Sequence, residues 1–380
     1  MALFAAGVAT IIQTVGYKEV GSRLPIIQGT SFAFIPIMLP FKAFGLGAIF
    51  TAAFIGGIFQ IFIGKMLKPI RHMFPPLVTG IVVLMIGISL LKVGFKYAGG
   101  GVWLMNNKPE IFANWHHLTI AGTVLIVALL TNLKGRGMVS AASILIGIIA
   151  GFIVAAMFGE VRWEKIAAAD WFALPMPLQY GIDFVWGAVI LMLFMSIVTT
   201  IETIGDISAT TMGGDNREAT NKELSGGIMA DGVGTAFASI FNAMPNTSYS
   251  QNAGLVAFTG VISRHVGTVA GIILILLGLF PKLGGIIAAM PDSVIGGAAI
   301  IMFGLIAGAG IKLISKSEMS QRNILILSLS LSFGIGLYAF PEFVAHVPDL
   351  GIKLGLLLTT GLIPAGLLAF ILNAILPKKN

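Results

Sequence analysis

The 380-residue sequence contains no cysteine, which excludes a disulfide framework, a thiolate metal site and a cysteine nucleophile. Charge is scarce as well. Only 10% of the residues are Asp, Glu, Lys or Arg, against about 25% in soluble globular domains, so a water-soluble fold is excluded. The formal charge of +7 does not point to nucleic acid, because Lys and Arg sit in short loops where they set membrane topology. No metal-ligand spacing is visible and no cofactor is expected. His72, His116, His117, His265 and His346 fall in loops or near span ends, and none shares a predicted span with Ser31, Ser248 or Ser250, so an intramembrane enzyme is not supported.

What is present is apolar. Hydrophobic residues make up 57% of the chain and the mean hydropathy is +0.96. Runs of roughly 20 apolar residues, each able to cross a hydrocarbon core of about 30 Å, recur along the chain. Hydropathy with Gly and Pro punctuation predicts about thirteen membrane segments, near 2–17, 25–42, 46–64, 74–92, 118–133, 138–158, 184–212, 224–241, 247–260, 262–280, 292–312, 322–340 and 352–376. With the N-terminus outside, 15 of the 23 basic residues become cytoplasmic: Lys18, Arg23, Lys65, Lys68, Arg71, Lys134, Arg136, Arg217, Lys222, Arg264, Lys312, Lys316, Arg322, Lys378 and Lys379. That sense agrees with the positive-inside rule. The outside loops 93–117 and 159–183 carry Trp103, Trp115, Trp163 and Trp171, which read as interfacial anchors.

The chain echoes itself. Gly7-Val8-Ala9-Thr10, followed by Thr30-Ser31-Phe32, returns as Gly232-Val233-Gly234-Thr235, followed by Thr247-Ser248-Tyr249. An offset of seven segments makes the two copies cross the membrane in opposite directions, the mark of an inverted-topology repeat. Seven plus seven requires fourteen segments, and the partner of 184–212 is the one not seen. The sequence therefore reads as lacking an N-terminal helix, with a natural thirteen-helix protein as the alternative.

Of the sixteen acidic residues, Glu202, Asp206 and Asp231 lie well inside predicted spans. A carboxylate at that depth costs several kcal/mol unless protonated, paired or facing water, so it is functional by default. Glu202 and Asp206 share a helix face at i,i+4. No Lys or Arg lies at comparable depth, which suits a substrate that offers N–H donors and a coupled cation, and disfavours an inorganic anion. The second constellation is Pro245-Asn246-Thr247-Ser248-Tyr249-Ser250-Gln251-Asn252-Ala253-Gly254, with its echo Leu24 to Phe34. Such composition predicts a short extended stretch leading into a half-helix, tolerated in a membrane only where it lines a cavity or is buried in protein. Two half-helices would aim N–H groups at one ligand. A carboxylate, a Gln amide, backbone N–H groups and an aromatic face at Phe32 match a planar heterocycle with alternating N–H and C=O groups.

Four motifs then resemble the nucleobase–ascorbate transporter family (nucleobase:cation symporter-2). They are Gln28-Gly29-Thr30-Ser31-Phe32-Ala33-Phe34, Ile201-Glu202-Thr203-Ile204-Gly205-Asp206, Ala230-Asp231-Gly232 and Gln251-Asn252-Ala253-Gly254 with Thr259. The resemblance implies an all-α polytopic inverted-repeat (7+7) transporter fold with two broken helices containing short strands. It implies a core domain (1–64 and 184–280) and a gate domain (65–183 and 281–380). Carried over by position, Glu202 and Gln251 would bind the base through side chains, and Phe32 and Ser250 through backbone N–H groups. Asp206, Asp231, Asn252, Ser31, Gly254 and Thr259 would support the site or the coupling. Gln at 251 resembles the purine type, which takes xanthine or uric acid. The expectation is a bacterial inner-membrane H⁺ symporter, with Na⁺ as alternative ion and a homodimer left open. The alternatives are a uracil-type permease and a same-fold anion carrier of the sulfate-transporter type.

Overall fold

A computed structural model of the chain describes residues 1–66, 75–345 and 358–377, with the side chains of Pro40, Gln251, Gly254, Ala257 and Phe258 also left outside the description. Lys68, Arg71, His72, His346, Lys378, Lys379 and the start of the segment expected at 352–376 lie outside the described residues. The rest is mostly helix. In chain order the elements are α1 (Ala2–Val15), β1 (Gln28–Thr30), α2 (Ile35–Met38), α3 (Leu46–Lys65), α4 (Pro76–Ala98), α5 (Val102–Asn107), α6 (Trp115–Lys134), α7 (Met138–Ala141), α8 (Ser143–Met157) and α9 (Trp163–Ala168). There follow α10 (Trp186–Asp215), α11 (Asn221–Ile240), β2 (Asn246–Ser248), α12 (Ser250–Thr259), α13 (Arg264–Gly278), α14 (Pro281–Ala289), α15 (Asp292–Ile314), α16 (Gln321–Ala339), α17 (Pro341–Ala345) and α18 (Leu362–Ile375). Helices α3, α4, α6, α10, α15 and α16 are each long and apolar enough to cross a membrane.

The chain divides into two compact units. The first comprises Met1–Met85, Leu174–Leu279 and Gly310–Asn380. Its helices meet through small residues, as helices do where lipid supplies no hydrophobic drive for association. A Cβ on Gly7 of α1 would lie 2.5 Å from the carbonyl oxygen of Gly271 in α13, and one on Gly232 of α11 would lie 2.6 Å from that of Gly57 in α3. Gly7 and Gly232 head the two copies of the sequence echo, so corresponding glycines make corresponding close crossings.

The broken segments form a two-stranded antiparallel sheet. β1 pairs with β2 in the register Gln28↔Ser248, Gly29↔Thr247 and Thr30↔Asn246. The ladder extends at both ends, from Ser31 N to Pro245 O (3.0 Å) and from Tyr249 N to Ile27 O (3.0 Å). Beyond β2 the chain enters a regular half-helix, α12. Beyond β1 it does not. A 3₁₀ turn at Phe32–Phe34, the single turn of α2 and a 3₁₀ stretch at Leu39–Phe44 replace it. Pro36 and Pro40 explain the difference, since each removes an N–H that an α-helix would bond to the carbonyl four residues back.

The second unit comprises Ile86–Ala173 and Phe280–Ala309. α6 and α8 pack closely where Gly147 and Gly151 face Val124 and Ala128, over a core that includes Ile120, Val124, Ala155, Val294 and Ala298. At one end of this unit, His117 Nε2 stands 3.6 Å from Glu160 and Arg162 stands 3.6 Å from Asp292. Arg162 Nη2 also donates to Met290 O at 2.9 Å, and Lys282 Nζ donates to Ile166 O at 2.8 Å. These contacts join three loops that the hydropathy layout puts on the same, outer, side.

Candidate functional site

The site lies within the first unit, where the two strands cross beside α10 and α11. A two-stranded ribbon leaves half of its backbone groups pointing away from the partner strand, and in a membrane those groups cannot turn to water. Side chains take them up. The Thr10 hydroxyl accepts from Gln28 N (3.0 Å) and reaches Gln28 O (3.3 Å). The Thr235 hydroxyl accepts from Asn246 N (3.2 Å) and donates to Asn246 O (2.9 Å). Ser248 N donates to Asp231 Oδ2 (3.4 Å), and the Tyr249 hydroxyl donates to Thr30 O (3.3 Å).

Asp231, fully buried on α11, is the hub of this arrangement. Its Oδ1 accepts from the Gln28 side-chain amide and from the Ser248 hydroxyl at 3.0 Å. Its Oδ2 faces the Thr203 hydroxyl of α10 as well as Ser248 N. Thr203 also lies 2.9 Å from Thr199 O, so its single proton has two acceptors. Gln13 of α1 adds a further tie, from Nε2 to the Ser248 hydroxyl at 3.4 Å, while its Oε1 accepts from Ser22 N at 3.2 Å. One carboxylate thus joins both strands and a helix. A buried charge is tolerated only when hydrogen-bonded in this way.

Glu202 and Asp206 differ from it. Both stand on α10, one turn apart. Glu202 is half-buried and makes no hydrogen bond or ion pair among the described residues. Asp206 is buried, with Oδ2 lacking a partner among the described residues. Its electrostatic neighbours are the Glu202 carboxylate, the Ser250 hydroxyl and the Asp231 carboxylate. Ser250 is the first residue of α12 and is exposed.

The other expected residues fall as follows. The Ser31 hydroxyl caps the turn after β1, accepting from Ala33 N at 3.2 Å. The Phe32 ring is 40% exposed. It lines a cavity of about 530 Å³ together with Thr30, Ser31, Tyr249, Ile35 and Ala6. That cavity adjoins the strand crossing but is walled mainly by apolar side chains, and neither Glu202 nor Asp206 lines it. Recognition of a polar ring needs converging polar groups, so the carboxylate-bearing side of the crossing is the stronger candidate. Asn252 ties α12 to the first broken segment, its Nδ2 donating to Pro25 O at 2.5 Å. The side chain of Gln251 and the surroundings of Gly254 lie outside the description. Thr259 ends α12, its hydroxyl donating to Leu255 O at 2.9 Å and accepting from Val261 N at 3.3 Å. Nine residues beyond Ser250, it stands about 13 Å along the helix and is not brought to the crossing.

Gln13 was not named from the sequence, and Thr10, Thr203 and Thr235 stood there only inside the echo and the motifs, with no role of their own. Their signal was a hydroxyl and amide stripe at helical spacing: Thr10, Gln13 and Thr14 on α1, and Ser196, Thr199, Thr200, Thr203 and Asp206 on α10.

Broken spans of opposite direction, crossing beside intramembrane carboxylates, define a membrane transporter of the inverted-repeat class. The sequence profile described as Permease family matches residues 1–343, and the chain belongs to that family. Xanthine permease XanP of Escherichia coli K12 is 35% identical over 394 residues, spanning 100% of this chain and 84% of that protein. Uric acid permease PucJ of Bacillus subtilis 168 is 33% identical over 376 residues, spanning 98% and 82%. Among solved structures, the transmembrane domain of the cyanobacterial bicarbonate transporter BicA shares the fold, with a TM-score of 0.60 at 16% identity over 97% of this chain and 88% of that one. The chain is a multi-pass bacterial membrane permease and not an enzyme.

Proposed function

We propose that this permease imports a purine nucleobase, xanthine or uric acid, by H⁺ symport. The observation that carries the reading is the pairing of 28–30 with 246–248 directly beside Glu202 and Asp206. Glu202 accepts ring N–H groups, and the Gln251 amide both donates and accepts. The backbone N–H groups of Phe32 and Ser250, each two residues past its strand, meet ring carbonyls. Asp231, whose oxygens are engaged by four donors, anchors the strands. Glu202 and the unpartnered oxygen of Asp206 carry the exchangeable proton. The relatives named for xanthine and uric acid support the substrate class.

The proposed cycle is alternating access, in which a core (1–64 and 184–280) moves against a gate (65–183 and 281–380) once base and proton are bound. The anion-carrier alternative shares the fold alone. Three carboxylates with no Lys or Arg beside them among the described residues repel an inorganic anion.

The test is uptake of radiolabelled xanthine, urate and uracil in cells and proteoliposomes, with and without a protonophore. Accumulation of a purine that collapses with the protonophore is expected. Sulfate or bicarbonate uptake indifferent to pH would overturn the reading. Glu202→Gln is expected to abolish pH-driven accumulation. Gln251→Glu is expected to shift competition toward uracil-like ligands, and unchanged purine selectivity would remove residue 251 from base reading.

A further inference from the structure

The two threonines that hold the ribbon edges make matching bonds at matching places. Thr10 belongs to the first copy of the echo and Thr235 to the second. Each engages both the N–H and the C=O of one outward-facing strand residue, Gln28 and Asn246 respectively. Those residues are the first of three in β1 and β2. The central pair of the register, Gly29↔Thr247, sits on the local two-fold, so Gln28 corresponds to Asn246 and Phe32 to Ser250, one residue away from the Thr-Ser match of the sequence echo. Both threonines are buried, at 0% and 2% exposure, and both come from a helix other than the one their strand leads into.

We infer that Thr10 and Thr235 are a pair of positioning residues. Each clips one strand to a helix of the core and so sets where the N–H of Phe32 or Ser250 stands when the base binds. This rests on the proposed use of those N–H groups for substrate. The physical reason is leverage. Only three residues separate Gln28 from Phe32, and the same count separates Asn246 from Ser250. A strand freed at its clip shifts the donor it carries, whereas the carboxylates on α10 and α11 stay in place. A hydroxyl suits the task because it accepts from N–H and donates to C=O at once. Valine fills the same volume and does neither.

The experiment compares Thr10→Val, Thr235→Val, Thr10→Ser and Thr235→Ser by xanthine uptake kinetics, normalised to the amount of transporter in the membrane. Each valine variant is expected to raise KM about tenfold, equivalent to about 1.4 kcal/mol, with the maximal rate per transporter largely kept, and each serine variant to restore KM. Amide exchange at residues 26–31 in Thr10→Val and 244–249 in Thr235→Val is expected to speed up, a readout that needs no substrate. Unchanged KM with a fall only in transporter amount or maximal rate would overturn the inference, as would unaltered exchange at the clipped strand. If the wild-type protein takes up no purine, the substrate reading fails, while faster exchange in the valine variants still tests the clip.

Discussion

At the scale of single residues, the three carboxylates on α10 and α11 differ in their surroundings, and that difference separates the tasks proposed for them. Asp231 faces donors on every side, so Asp231→Asn sets an NH₂ group against the Gln28 amide and the Ser248 N–H. Loss of a buried charged acceptor costs about 2–3 kcal/mol. A lower unfolding temperature in detergent is expected, along with lost uptake, and a fully stable Asp231→Asn protein would contradict the anchoring role. In the first turn of α11, Glu223 accepts from Arg217 Nη2 at 2.6 Å and closes a capping box with Thr220. The Arg217 hydrogen bond holds the Glu223 carboxyl down at about 2. A lowered folded-state value contributes stability above the ordinary carboxylate range, lost as pH falls through about 2. Glu223 therefore stays ionised between pH 5 and 8. Glu223→Gln is expected to lower stability at neutral pH while leaving the pH profile of uptake unmoved. A shifted profile in a uptake assay would place Glu223 in the coupling.

At the scale of elements, packing depends on backbone approach that only glycine allows. A side chain at residue 57 meets the carbonyl of Gly232 at 2.6 Å. Gly57→Val should force α3 and α11 apart at a cost of about 1–3 kcal/mol, visible as a lowered melting temperature, and a wild-type value would contradict the crossing. The sequence made much of this level readable. The run of hydrogen-bonding side chains from Asn246 to Asn252 announced a broken span, and the half-helix it leads into begins at Ser250. The irregular path after β1 was less readable, because two prolines five and nine residues beyond Ser31 had to be weighed against a motif that looked helical. The echo exposed Gly7, Thr10, Gly232 and Thr235. It could not show what they touch: the partner of Thr10 lies eighteen residues on and that of Thr235 eleven, a spacing set by loops rather than by helical or strand periodicity.

At the scale of the whole molecule, hydropathy alone placed the six described helices that are long and apolar enough to cross a membrane, since a membrane punishes polar backbone and charged side chains more uniformly than any soluble core does. The site was readable as far as its carboxylates and its two broken segments. Its internal wiring was not, because hydroxyl-to-backbone bonds leave no periodic trace. The fold itself leaves function open, as its likeness to a bicarbonate transporter shows, so the substrate must be decided at the crossing of the strands. Equilibrium binding of radiolabelled xanthine to purified protein, wild type against Glu202→Gln at one pH, asks that question most directly. A hydrogen bond to a charged group is worth about 1.5–3 kcal/mol, so affinity should fall roughly 10- to 100-fold in the variant. Equal affinity in the two proteins would mean that Glu202 does not hold the base.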